Sequence, residues 1–578
     1  MGDFNEILFA KKKQGWLIRP ERQMQGIRDA LDFCRLRDWG FNGFPFTWCN
    51  RRPGGQNVWI KLDRGVASVE WILRFPTTRI HHLDAFHSDH KPLLLCSNSE
   101  FKRFYRKGRP FRFEAIWLKD NSCEGVIRES WESRQPFDSV WGFNRKIMAC
   151  QENLKVWNRT TFGHVWSALK RKLEELKEAK EGDCYRTNPR CIQILRKEIG
   201  SLQSREECLW KQRARNTWLK EGDRNTAYFH CRANQQNKRN LILGLEDDNG
   251  VWIEDEANLG GVVEGYFKKI FSTSNPSGLD RILNGIPYPM NFEVESGVGG
   301  EFQAFEVKQA LDQMAPIIAP SPDGMSPIFY KSFWHIVGED VTAVILQALN
   351  SSIVPESLNS TFISLIPKVK NPKKVFEFRP ISLCNVVYNL IAKVVANRLK
   401  KLLAKMIPDS QSAFLSGRLI TDNILVAFET FHFLKRKTQG KLRYMALKLD
   451  MSKAYDRVKW VFLERIMRHL GIEERLIKII MACVQSVAYA VLLNGQPVGN
   501  IKPTRGLRQG DPRLQSLIHQ AEMDGHIRGV AICRNGPKVS HLFFADDIVL
   551  FCRATEAECN KILEILEVYE KGSDQKIN

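Results

Sequence analysis

The 14 cysteines include no Cys-x-x-Cys pair, which argues against a structural zinc site, and their scatter argues against a disulfide scaffold and for a reducing compartment. No apolar run approaches the ~18 residues of a spanning helix, so a soluble chain without a membrane partner is expected. Met1-Gly2-Asp3-Phe4-Asn5-Glu6 has no charged segment followed by an apolar one, and Glu6 spoils a myristoylation signal, so no leader or lipid anchor is expected. No repeat of about 20–50 residues is visible, which excludes solenoids and propellers. Acidic residues are in deficit: 65 Asp and Glu stand against 86 Lys and Arg, a formal charge of +21.

What is present is a long, basic, globular chain. At about 150 residues per domain, 578 residues allow three or four domains. With 43% hydrophobic residues the chain can bury cores while its surface stays cationic, so a polyanion is the expected partner: nucleic acid first, an anionic membrane surface second.

Residues 1–97 read as short strands and turns, part of an α/β sandwich. From Trp141 to Glu207, Phe162, Val165, Leu169, Leu173 and Leu176, then Ile192, Leu195, Ile199 and Leu202, recur at helical steps around a Gly182-to-Pro189 turn, predicting a helical hairpin. Residues 205–240 hold nine basic and four acidic residues interleaved with Trp210, Trp218, Tyr228 and Phe229. This pattern suits either single-strand binding, with cations on phosphates and rings on bases, or an amphipathic helix with its aromatics in a core. Residues 306–349 read as helices interrupted by a Pro-rich break, and 360–578 alternate β-rich runs with helices, an α+β domain.

Two segments carry the chemistry. In Ala446-Leu447-Lys448-Leu449-Asp450 an apolar strand ends in an acid, and in residues 541–551 two apolar runs flank Asp546-Asp547, the pattern of a hairpin with acids at its tip. Each segment alone reads more readily as solvated turn acids. Converging, such carboxylates suit two Mg²⁺ ions ~3.5–4 Å apart in nucleotidyl transfer, with hard oxygen ligands and no need of cysteine or histidine.

Leu449 to Asp456, Gly506-Leu507-Arg508-Gln509-Gly510-Asp511-Pro512 and Phe544-Ala545-Asp546-Asp547, in that order, resemble the A, B and C motifs of the reverse transcriptases of LINE-type non-LTR retrotransposons, particularly the plant ones. Arg379-Pro380-Ile381-Ser382-Leu383, Pro322-Asp323-Gly324, Gln411 to Phe414 and Trp218 to Thr226 extend the resemblance over nearly the whole chain. The resemblance implies an RNA-directed DNA polymerase whose right-hand fingers and palm occupy 301–578. Asp450, Asp546 and Asp547 would hold Mg²⁺. Tyr455 would lie under the sugar and select deoxynucleotides, Arg379 would reach the triphosphate, and Gln509 and Gly510 would line the nucleotide and template pocket. The implied partners are an RNA template, a DNA primer or target and deoxynucleoside triphosphates, in a ribonucleoprotein of nucleus or cytoplasm.

Gly2-Asp3-Phe4-Asn5, Lys61-Leu62-Asp63-Arg64 and Ser88-Asp89-His90 resemble the apurinic-type endonuclease domain of these elements. Asp3 and Asn5 would orient the attacking water and the phosphate, Asp63 belongs to the same remnant, and Asp89 with His90 would form an acid-oriented histidine. Lys61 stands where the family usually has Arg. The resemblance divides the chain into 1–97, the second half of an endonuclease/exonuclease/phosphatase-like domain; 98–300, a basic helical linker; and 301–578, fingers and palm ending before the thumb. The absent first endonuclease half predicts no nicking of DNA. A helix shortened after Pro512 and the absent thumb leave an alternative: a catalytically inactive relic that only binds nucleic acid.

Overall fold

The computed structural model describes residues 1–15, 19–50, 57–75, 78–83, 88–96, 110–133, 139–163, 165–181, 189–214, 236, 239–273, 299–406, 417–437, 442–452, 456–507, 526, 528–531, 538–544, 547–573 and 576–577. Helix and sheet are mixed throughout. Among these residues no helix is long and apolar enough to cross a membrane.

The first 96 residues form short ladders rather than one broad sheet. β1 (Gly2–Asp3) pairs with β2 (Asp63–Arg64), and β3 (Arg79–His82) pairs with β4 (Leu93–Cys96), all antiparallel, while the helix α1 (Glu21–Phe33) packs on the strand Leu36–Asp38. Two cationic side chains are sealed inside this unit. Arg64, 1% exposed, donates to the carbonyls of Glu6 and Lys61 at 2.7 and 2.8 Å. Lys61, equally buried, pairs with Asp38 at 3.1 Å, which offsets the cost of carrying an ammonium out of water.

The predicted helical hairpin is present. α2 (Ser122–Glu132) and α3 (Val140–Trp157) precede α4 (Val165–Glu181) and α5 (Pro189–Ala214), and α4 lies along α5. Leu169, Ile192, Leu195 and Ile199 are buried along the seam as their spacing predicts, whereas Leu173 is exposed. The turn between these helices and Trp218, Tyr228 and Phe229 lie outside the described residues.

The helices before residue 300 are not a free linker. Phe111, Phe113, Trp117, Ile127, Trp131, Phe143 and Trp157 share one core with Phe302, Phe329, Tyr330, Val341, Ile345, Leu390 and Ile479. Aromatic side chains bury the largest apolar areas, so this core ties the two segments together more strongly than a linker requires. The Pro322-Asp323-Gly324 turn is its clasp: Phe113 N–H donates to the Gly324 carbonyl at 2.9 Å and Gln151 donates to the Asp323 carbonyl at 2.8 Å. Gly324 has φ +63°, and a Cβ there would stand 2.1 Å from the Phe111 oxygen, so glycine is required both by conformation and by space. Across the same core, Asp340 accepts from Trp131 Nε1 at 2.8 Å and Lys146 Nζ at 2.7 Å.

A further helix, α6 (Glu256–Phe271), also from before residue 300, covers a sheet that lies after it. Beyond the long apolar helix α7 (Trp334–Ser351), the chain runs through β5 (Ser360–Pro367), β6 (Phe378–Cys384), α8 (Val386–Met406), α9 (Ile420–Arg436) and β7 (Tyr444–Ser452). Then come β8 (Ala488–Leu493), β9 (Gln496–Ile501), β10 (His541–Phe544), β11 (Asp547–Arg553), α10 (Glu556–Ser573) and β12 (Lys576–Ile577). One sheet has the order β6-β5-β8-β9, with β5 and β8 parallel; the other has the order β10-β11-β7-β12 and is antiparallel. β5 alternates half-buried and buried side chains along its whole length, the period of a pleated strand packed on one face. α6 closes the first sheet, with Phe271 stacked on Tyr489 at 5.1 Å. α9 closes the second through Val426, Ala427, Phe433 and Leu434 against Leu542 and Phe551.

Candidate functional site

Two sets of acidic residues come together. On the second sheet, β7 and β11 are antiparallel, and Asp450 and Asp547 are partners on one rung. The next rungs pair Leu449 with Ile548 and Leu447 with Leu550; Ile548, Leu550 and Phe551 are at most 2% exposed. The acidic rung therefore sits at the end of a packed ladder, which holds its backbone in place. Asp547 is also the rung partner of Phe544 on β10, closing the expected hairpin. Asp546, Tyr455, Gln509 and Gly510 lie outside the described residues. β7 does not stop at Asp450: Met451 and Ser452 continue it, paired with Ile577 and Lys576 of β12, a partner too short for its own sequence to announce.

Arg379 is exposed on β6, on the rung with Ile366, and so belongs to the other sheet. A clamp that the sequence did not reveal joins the segments on either side. Gly506 N–H donates to the Val458 carbonyl at 2.8 Å, and Trp460 Nε1 returns a bond to the Gly506 carbonyl at 2.8 Å. Gly506 has φ +99°, and a Cβ would meet the Asp456 oxygen at 2.8 Å. Next to it, Arg505 is 9% exposed and donates through Nε to the Ile270 carbonyl at 2.6 Å, so a cation caps the carbonyl end of α6, where the helix dipole favours one. Burial, with Arg457 nearby, lowers the Arg505 pKa from its usual value. The residues three and five after Tyr455 are thus bonded to the residue three before Gln509.

The second set lies in the N-terminal unit. Asp3 and Asp63 are partners on the β1–β2 rung, and one ligand atom from each of Asp3, Asp63 and His90 falls within 4.8 Å of the others. Asp63 and His90 border a cavity of about 330 Å³ that Ser88 and Lys91 also line. Asn5, at φ 53°, donates its N–H to Asp3 Oδ1 at 2.8 Å, turning the chain away from β1. The acid on His90 is Asp63, not Asp89: Nδ1 lies 2.9 Å from Asp63 Oδ2, while Asp89 accepts from Trp48 Nε1 at 2.9 Å. Burial pulls the His90 pKa down, but the Asp63 hydrogen bond and the charges of Asp63, Asp3 and Asp89 outweigh it and raise it above the ordinary imidazole value.

A reverse transcriptase (RNA-dependent DNA polymerase) family profile matches residues 366–578, a stretch that contains Arg379, the Gly506 clamp and the acidic rung. Over its whole length the chain is 24% identical to the transposon TX1 uncharacterized 149 kDa protein of Xenopus laevis, covering 45% of that protein. Over 41% of its length it is 25% identical to the retrovirus-related Pol polyprotein from the type-1 retrotransposable element R2 of Nasonia vitripennis, covering 23% of it. The chain carries a LINE-type reverse transcriptase domain. A Pol polyprotein from the type-2 element R2DM of Drosophila melanogaster is likewise 25% identical, over 43% of the chain and 24% of that protein. The chain spans less than half the length of each of these relatives. The match to the reverse transcriptase family begins inside β5, so α2, α3 and α6, which pack against this domain, lie upstream of the matched residues.

Proposed function

We propose that the chain copies RNA into DNA as the reverse-transcribing region of a LINE-type element of the plant type, priming on a DNA 3′-hydroxyl. The observation that carries this reading is the rung shared by Asp450 and Asp547 at the end of a buried ladder, inside the segment that matches reverse transcriptases. Residues 301–578 would form fingers and palm, with β5, β6 and Arg379 on the fingers and β7, β10 and β11 on the palm. Residues 98–300 would be the basic region that buttresses them, and 1–97 the half of an endonuclease/exonuclease/phosphatase-like domain, with Asp3, Asn5, Asp63, Asp89 and His90 its remnant site.

Asp450, Asp546 and Asp547 offer only hard carboxylate oxygens, a donor set that fits Mg²⁺. When bound there, Mg²⁺ supplies positive charge beside the reacting phosphate and favours the ionised form of the primer hydroxyl. Arg379 would take the triphosphate, which its exposed, bidentate guanidinium suits. Tyr455 would lie beneath the sugar, where a ring leaves no room for a 2′-hydroxyl, and Gln509 with Gly510 would line the template side of the pocket. The Gly506 clamp ties the segments that carry these two groups together, so that nucleotide and carboxylates keep one geometry. The setting would be a ribonucleoprotein in nucleus or cytoplasm.

Primer extension on poly(rA)·oligo(dT) with Mg²⁺ tests the reading. Extension by the chain, lost in Asp450→Asn while duplex binding is kept, is the expected result. Binding with no extension by the unmodified chain is what a chain that only holds nucleic acid would give, and it overturns the reading.

A further inference from the structure

The seam between the N-terminal unit and the β5–β6 hairpin gathers like charge around a single ring. The ammonium groups of Lys12, Lys61 and Lys370 lie 5.4, 4.4 and 5.8 Å from the centroid of Phe41. The first two come from the N-terminal unit and the third from the tip of the hairpin, which turns at Asn371 with φ 53°. His82 stacks on the ring at 4.2 Å and 5°, and burial, its largest influence, lowers its pKa despite the Phe44 carbonyl on Nδ1. A neutral imidazole therefore backs the ring. Asp38 pairs with Lys61 at 3.1 Å. On the hairpin, Lys373 and Lys374 share Glu246 at 3.7 and 3.8 Å, and Lys368 donates to the Phe376 carbonyl. Among the described residues no ion pair involves Lys370, whose side chain is exposed.

A ring face attracts each ammonium by only about 0.5–1 kcal/mol at an exposed site, while the ammonium groups repel one another. Lys61 is sealed against Asp38, so the anion that fits this seam is one whose charge repeats along its length and can meet Lys12 on one unit and Lys370 on the other. We propose that this seam holds the phosphodiester backbone of a nucleic acid strand, so that one strand is gripped jointly by the N-terminal unit and the polymerase hairpin. The proposal rests on the reading of the chain as a nucleic-acid polymerase. It adds a binding surface outside both acidic sites and gives the two units a shared ligand.

The test is fluorescence anisotropy of the full chain with a labelled poly(rA)·oligo(dT) duplex between 50 and 200 mM salt, without nucleotide, and extension on the same preparations. Lys12→Glu and Lys370→Glu should each weaken binding about tenfold and flatten the log–log salt slope by about one, as loss of a phosphate contact does; Lys370→Arg should keep both. Lys308→Glu, an exposed lysine on the helix Ala304–Asp312, controls for net charge. Effects of Lys12→Glu and Lys370→Glu no larger than that of Lys308→Glu overturn the proposal. So does displacement of the duplex by dATP in the unmodified chain but not in Lys370→Glu, which would assign the seam to a free nucleotide. Salt-sensitive binding that depends on Lys370, in a chain that extends nothing, supports the seam while overturning the polymerase reading.

Discussion

His90 Nδ1 lies 2.9 Å from the Asp63 carboxylate, and Asp63 shares a β rung with Asp3, so one imidazole faces two acids that are more than twenty residues from it in sequence. Because the folded pKa of His90 is raised, the stability gained from the ionised pair is fully present below the unfolded value of about 6.5. It is lost as pH rises through the folded value. Asp63→Asn should lower the His90 titration midpoint followed by NMR of its ring protons, and Asp89→Asn should lower it less, Asp89 acting through charge alone. Equal effects of the two would refute the pairing.

Asp323 is half-buried, and burial of its carboxyl raises the pKa to about 6 although Ser321 and the Met325 N–H donate to it. An acid raised on folding takes up its proton more readily in the folded chain. Its contribution to stability is therefore lowest above pH 6 and grows as pH falls from 6 toward the unfolded value near 4, by roughly 3 kcal/mol in all. The urea midpoint of the unmodified chain relative to Asp323→Asn should rise between pH 7.5 and pH 5. A pH-independent difference between the two would count against a buried, protonatable clasp.

Gly324→Ala should destabilise the same clasp. A positive φ in a non-glycine residue costs about 1–3 kcal/mol, and the added methyl meets the Phe111 carbonyl, so a loss of at least about 2 kcal/mol is expected in urea unfolding. Gly261→Ala, on α6 with open space around it, should be near neutral or stabilising, as glycine is a poor helix former.

Removing Lys146 should leave Asp340, among the described residues, with the Trp131 indole as its one side-chain partner in the shared core. Breaking a buried pair from one side typically costs about 3–5 kcal/mol. Lys146→Met should approach that loss, and Lys146→Met with Asp340→Asn should recover part of it. A double variant no more stable than the single would mean that the charge on Asp340 is not what the lysine balances.

Much of the acidic hairpin was legible from residues alone. Unbroken apolar runs on either side of Asp546-Asp547, and the apolar stretch that ends at Asp450, read as strands, and β7, β10 and β11 form there. Relations between distant residues were not legible. Nothing local in Phe111, Trp131 or Phe143 says that they will meet Tyr330 and Val341, because apolar contact has no direction and leaves no spacing in the sequence. The Arg505 cap on α6 joins elements more than two hundred residues apart, and the Lys576–Ile577 strand that lengthens β7 has only two residues to show a pattern. Asp89 next to His90 invited a pairing that the fold gives instead to Asp63, 27 residues away in sequence.

The core shared across residue 300 also sets a schedule for synthesis. Trp131 and Asp340 are 209 residues apart, and at about 5–20 residues per second the indole leaves the ribosome roughly 10–40 s before its partner. For that interval α2 and α3 carry Trp131, Phe143, Ile147 and Trp157 packed on one another but without the later half of their core. Long exposure of apolar surface is where chains aggregate, so the nascent chain should fold in better yield with a chaperone holding those two helices or with slow growth at low temperature.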